Sequence, residues 1–276
     1  MTEQGVLPDF IVIGAMRAGT TTLHRYLDAH PEIGMAREKE TDFFVEERNW
    51  NRGLGWYQGL FEPGRARYGE ASPNYTKHDI FPGVPERIRD VVPECRFIYI
   101  VRDPVARVES QYKFRQVLTP GELADDSPVW NHIVETSRYH EQIRRFVDLF
   151  GKEAILVADF DELIASPDTV LRQVAEFIGV SGAWTGLSEV NINSSSELAR
   201  MPPWLLRLRQ SRLLSDARRL LPQSAVDGLR RRLASGEERK PAGIGEGKRA
   251  QIREALAEDA ARFRDFTGMS FEGWSV

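Results

Sequence analysis

A chain of 276 residues with 41% hydrophobic content is long enough for one large α/β domain with a substantial buried core. Its 37 basic and 41 acidic residues nearly balance, which excludes a molecule built throughout as a polyanion binder and makes any basic function local. The single cysteine, Cys95, excludes an internal disulfide, no stretch approaches the roughly 18 to 20 apolar residues of a membrane span, and the segment Met1 to Asp9 has neither a basic nor an apolar leader region. A soluble cytoplasmic protein is the expectation.

Taken in chain order, Phe10 to Ile13 is a short apolar run ending at Gly14, and Leu23, Tyr26 and Leu27 then recur at helical spacing until His30-Pro31. This reads as strand, glycine loop, helix. The run Phe97 to Val101 is continuous and apolar, as in a strand covered on both faces, and Arg102-Asp103-Pro104 ends it, with a helix starting near Pro104 or Val105. Ala154 to Val157 reads as a third buried strand, and Pro167 opens a helix whose Val170, Leu171, Val174, Phe177 and Ile178 share a face. Strands alternating with helices imply a single domain over 1–276 with a central parallel sheet flanked by helices.

Between Arg200 and Lys240, eleven basic residues face four acidic ones among Trp204, Leu205, Leu208, Leu213, Leu214, Leu220 and Leu221. This basic helical insert reads either as surface helices packed on the domain or as a seat for an anionic acceptor or a peripheral membrane contact. Ser235 to Gly247 reads as a loop, and Ile252, Leu256, Ala260, Phe263 and Phe266 mark a closing helix.

The loop Gly14-Ala15-Met16-Arg17-Ala18-Gly19-Thr20-Thr21 lies between a strand and a helix, where backbone N–H groups and the helix dipole can cradle a phosphate. It nearly matches the P-loop of nucleotide triphosphatases, but Thr20 stands where that motif requires lysine, and Arg17 is the loop's one cation. Arg102 at the end of the second strand, with Ser110 about two helical turns later, offers a second phosphate grip. A tight turn in the first segment and a structural arginine in the second are the bland alternatives.

The stretches Asp9 to Phe44, Gly69 to Tyr75 and Arg96 to Tyr112 resemble the sulfotransferase superfamily, particularly its heparan-sulfate and related bacterial carbohydrate branch. The resemblance implies a P-loop-kinase-like sulfotransferase fold and 3′-phosphoadenosine 5′-phosphosulfate (PAPS) as donor. Arg17, Ala18, Gly19, Thr20 and Thr21 would hold its phosphosulfate end, and Arg102 and Ser110 its 3′-phosphate. Arg17 stands where the family usually has lysine, and Ala71 where several carbohydrate members have a lysine after the glutamate. Glu40 aligns with the catalytic glutamate of that branch, and Asp42 with a second polar active-site residue. Arg17 would then share the catalysis by contacting the leaving phosphate.

Burial of the cluster Glu38 to Asp42 against Phe43 and Phe44 would raise a carboxylate's proton affinity toward a base's range, although a solvated charge run before two core phenylalanines has the same sequence. Asp42, Phe44, Glu70, Ser72 and Tyr75 are expected to line the acceptor cleft. The acceptor would be a hydroxyl on a glycan, a glycolipid, a glycosylated metabolite or another small molecule; no nucleic acid is implied. The histidines His24, His30, His78, His132 and His140 are scattered and suggest no metal. A nucleotide-dependent kinase and a nucleotide-binding module without catalysis are the competing functions.

Overall fold

Strands form where apolar residues run with little charge, and helices where apolar residues recur every three or four positions. The protein is seen in a computed structural model that describes residues 5–118, 127–182, 184 and 243–276. Five strands, β1 (Phe10–Gly14), β2 (Ile33–Met35), β3 (Arg67–Ala71), β4 (Arg96–Val101) and β5 (Ile155–Asp159), make one sheet in the order β2-β3-β1-β4-β5. All pairings are parallel, with Val12 opposite Ile98 and Val101 opposite Asp159.

Nine α-helices lie among the described residues: α1 (Thr20–Asp28), α2 (Leu54–Gln58), α3 (Val84–Val91), α4 (Pro104–Leu118), α5 (Pro128–Glu135), α6 (Tyr139–Phe150), α7 (Phe160–Ala165), α8 (Pro167–Ile178) and α9 (Glu246–Thr267). Alternation along the strands sorts side chains to two cores. Ile11, Ile13, Phe97, Tyr99 and Val101 meet Ile88, Phe146 and Phe263 of α3, α6 and α9 on one face. On the other, Phe10, Val12, Ile98 and Ile100 meet Leu23 and Leu27 of α1 and Val170, Leu171 and Val174 of α8. Each such buried side chain contributes about 1.5 to 3 kcal/mol relative to exposure.

The expected strands and helices at the first loop, at Phe97, Ala154 and Pro167, and at the closing helix are all present. Strands β2 and β3 and helices α2, α3, α5, α6 and α7 add to them. The basic stretch 200–240 lies outside the described residues. What matters for the site is the strand order: β1 and β4 are neighbours, yet the chain leaves β1 toward β2 and leaves β4 toward β5. That reversal opens a crevice beyond their carboxyl ends, the usual ligand position in open parallel sheets.

Candidate active site

The glycine loop leaves β1 into this crevice. Gly19 has φ 98°, a left-handed conformation, and a Cβ there would stand 2.2 Å from the Phe160 ring, so only glycine fits. Gly19 caps α1 without a side chain, and the first turn, beginning with Thr20 and Thr21, holds no acidic residue. Its N–H groups and the dipole's positive end are therefore directed at the crevice without a carboxylate of the same turn to neutralise them. Ala18, within the loop, is buried.

Arg17 joins the two sequence motifs. Its Nε donates to Ser110 Oγ on α4 at 3.1 Å, and its guanidinium lies 4.8 Å from the Phe114 ring centroid. Arg102, just after β4, stacks over Phe160 at 5.0 Å, and its Nε is buried without a hydrogen-bond partner among the described residues. Burial and then the neighbouring Arg102 charge lower the Arg17 pKa, with Glu40 opposing. Among the described residues neither arginine has an ion pair. Two adjacent cations and an unused donor form a site that an anion would complete.

Arg107 braces the loop from behind. It is fully buried, donates to the Met16 carbonyl at 3.2 Å, and also donates to Ser137, Gln111 and the Ile133 carbonyl. Burial brings its pKa down to about 10.

The second wall departs from expectation. Glu70, Ser72, Tyr75 and Phe44 are each at most 1% exposed, so none of them presents a side chain to an acceptor. The Glu70 carboxylate accepts from Tyr57 OH at 2.7 Å, Tyr75 OH and Ser72 Oγ at 2.8 Å, and from Thr41 Oγ1. Burial raises its pKa against the pull of these four hydroxyls. The cluster of acid and hydroxyl groups is directed at itself rather than at a cleft, and it ties β3 to the segment after β2. Phe44 belongs to the core, packed edge-on to Tyr57 and Tyr75. Asp42 is also buried, paired with Arg48 and accepting from Asn74 Nδ2 at 3.1 Å, with its pKa raised mainly by burial.

Glu40 differs from all of these. Its side chain is 44% exposed and pairs with Lys39 at 2.6 Å, so the expected burial against Phe43 and Phe44 does not occur. Those rings point into the core, while the Glu40 N–H donates to the Ala71 carbonyl at 3.0 Å and fixes the residue beside the end of β3. Its charge acts on Arg17, His24, Asp42 and Lys77, so it lies within electrostatic reach of the glycine loop. Arg17, Glu40 and Asp42 have φ of 69°, 62° and 45° and are three of the four non-glycine residues with positive φ among those described. Such strain persists where surrounding contacts enforce it, and it gathers at functional sites.

Sequence reasoning missed four residues here: His24, Lys77, Arg107 as a brace and Phe160. His24 on α1 has a buried Nε2 without a partner, and burial followed by Lys39 lowers its pKa to about 4, so the ring is neutral at physiological pH. Phe160 begins a helix at the carboxyl end of β5, and that position was the one available signal. Lys77 carries no local signature. Among the described residues, no group of three His, Cys, Asp or Glu is arranged to hold a metal ion, and no helix is long and apolar enough to cross a membrane.

A parallel sheet whose crevice carries a glycine loop, a helix N-terminus and two arginines defines an α/β protein of the phosphate-loop kind. The chain belongs to the sulfotransferase domain family, whose sequence model matches residues 7–196. It is 29% identical over 199 residues to a mouse bifunctional heparan sulfate N-deacetylase/N-sulfotransferase 4, covering 63% of this chain and 22% of that protein. It is 37% identical over 113 residues to the membrane-associated sulfotransferase kil1 of Dictyostelium discoideum, covering 39% of this chain and 23% of that one. The chain thus spans about a fifth of the length of these relatives. A sulfotransferase structure from Alicyclobacillus acidocaldarius shares the fold, with TM-score 0.67 and 23% identity over 98% of this chain and 100% of the other.

Proposed function

We propose that the chain transfers a sulfuryl group from PAPS to a hydroxyl of a carbohydrate-containing acceptor. The observation that carries the reading is the junction of Arg17 and Ser110, a cation and a hydroxyl joined across the crevice, with the charge of Arg102 beside them and a buried Arg102 donor left over. When bound, PAPS supplies a sulfuryl group already activated on a phosphate leaving group.

The chain's own residues would divide the remaining work. Arg17, with the first-turn amides and Thr20 or Thr21, holds the charge that grows on the leaving phosphate. Arg102 and Ser110 hold the 3′-phosphate, a charge-assisted contact that supplies orientation as well as affinity. Glu40 takes the acceptor's hydroxyl proton as that oxygen attacks sulfur in line with the departing phosphate oxygen. Its exposure is consistent with this role, because a base that meets an acceptor arriving from solvent stands at the open side of the site.

The names of the relatives point to heparan sulfate and to N-sulfation in those proteins, so a glycan acceptor is favoured here and an amine competes with the hydroxyl. The test is to incubate the protein with radiolabelled PAPS and a panel of glycans, glycolipids and amino sugars, and to read sulfate addition and its position by mass spectrometry. Sulfate on a hydroxyl is the expected result. Phosphate transfer or hydrolysis from ATP, with no sulfate incorporated on any acceptor, would overturn the assignment in favour of a kinase.

A further inference from the structure

Lys77 lies between β3 and α3 and turns inward, leaving only 5% of the residue exposed. Its Nζ stands 2.8 Å from Asn74 Oδ1 and 3.0 Å from Met16 Sδ, and among the described residues it has no ion pair. A thioether is a weak acceptor, so the ammonium has one good acceptor for three protons. The Asn74 amide group is itself committed, donating to both Asp42 oxygens at 3.1 Å. A buried cation so poorly paired is costly, and it marks a place where an anion is missing.

Its position says which anion. Met16 precedes Arg17 in the glycine loop, and the Met16 carbonyl is held by Arg107. Nζ is therefore tied to the glycine loop through the Met16 side chain, with Arg107, Asp42, Arg48 and Glu40 as the charges around it. A group passing in line from a phosphate on the loop to an oxygen beside Glu40 travels between two elements that Lys77 senses, the loop through Met16 and the Glu40 carboxylate through its charge. We propose that Lys77 is a catalytic residue whose Nζ donates to an oxygen of the sulfuryl group during transfer. This rests on the sulfuryl-transfer reading above.

The groups facing Lys77 are Arg107 on α4, Arg48 and the carboxylates Asp42 and Glu40 on the segment after β2; burial dominates and brings its pKa down from 10.5 to about 7. The free protein accordingly loses this proton as pH rises through about 7, and an anion seated against Nζ draws it back. Donor binding above that pH is thus coupled to proton uptake and weakens as pH rises.

The experiment is calorimetric binding of PAPS, and separately of its product 3′-phosphoadenosine 5′-phosphate (PAP), without acceptor. It is run at about pH 8 in two buffers of different ionisation heat, on the wild-type protein and on Lys77→Met. Methionine keeps the stem and removes the buried charge, so the variant's melting temperature should stay level or rise.

The wild type should take up most of one proton with PAPS and little with PAP. Lys77→Met should take up none with either, should bind PAP as the wild type does, and should turn over about a hundred-fold or more slowly. Equal uptake with PAP would assign Lys77 to the phosphate and overturn the proposal. So would wild-type turnover in Lys77→Met, or no uptake with PAPS in the wild type. Binding of neither nucleotide by the wild type would instead sink the donor assignment itself.

Discussion

The two sides of the crevice are built on opposite principles. On the loop side, Arg17 and Arg102 stand together without an ion pair among the described residues, and the buried Arg102 Nε has no hydrogen-bond partner among them. On the far side, Glu70 is surrounded by four hydroxyl donors and Asp42 by Arg48 and Asn74, all within the protein. Satisfied networks rigidify, whereas unsatisfied buried donors cost free energy until a ligand completes them. The contrast separates residues that hold the site together from residues that wait for substrate, even though both sets are polar, buried and close.

The largest effect expected from this contrast is at Glu40, the exposed carboxylate between the two sides. Glu40→Gln keeps the shape and removes the proton acceptor, so turnover should fall by roughly a hundred- to ten-thousand-fold while PAP affinity stays near that of the wild type. Turnover on one acceptor and PAP affinity, measured on the same preparation, check this. A near-normal turnover would remove Glu40 as the base.

Glu70→Gln should act mainly on stability. Replacing the anion on which four hydroxyls converge should cost about 1 to 3 kcal/mol in denaturant unfolding, with turnover per folded molecule falling far less than in Glu40→Gln. If Glu70→Gln instead abolished turnover at unchanged stability, the far wall would be catalytic and the contrast would fail.

The loop side could be read from the sequence because its signals are local. Two glycines at the right spacing lie within a few residues of the strand before them and the helix after, and Arg102 directly ends its own apolar run. The far side could not. An acid followed by a serine and a tyrosine, as at Glu70, Ser72 and Tyr75, is the same string whether it lines a cleft or satisfies itself. The partners that decide between the two, Tyr57 and Thr41, lie 13 and 29 residues away.

Lys77 is a sharper case, since its neighbour Met16 is 61 residues distant and nothing near Lys77 in the chain marks it. Strands β2 and β3 were missed for a different reason. At three and five residues, with Gly34 in one and Arg67, Gly69 and Glu70 in the other, they show no apolar run and are held by pairing within the sheet.

The central claim is that the junction of Arg17, Ser110 and Arg102 is an anion site for a bisphosphorylated nucleotide. It is tested most directly by the melting temperature with PAP in the absence of magnesium, compared with ATP plus magnesium, for the wild type and Arg102→Ala. A ligand that binds only the folded state raises the melting temperature by mass action. PAP should therefore stabilise the wild type more than ATP with magnesium does, and Arg102→Ala should lose most of that shift, corresponding to a contact worth about 1.5 to 3 kcal/mol. Greater stabilisation by ATP with magnesium, together with an unchanged PAP response in Arg102→Ala, would contradict the account.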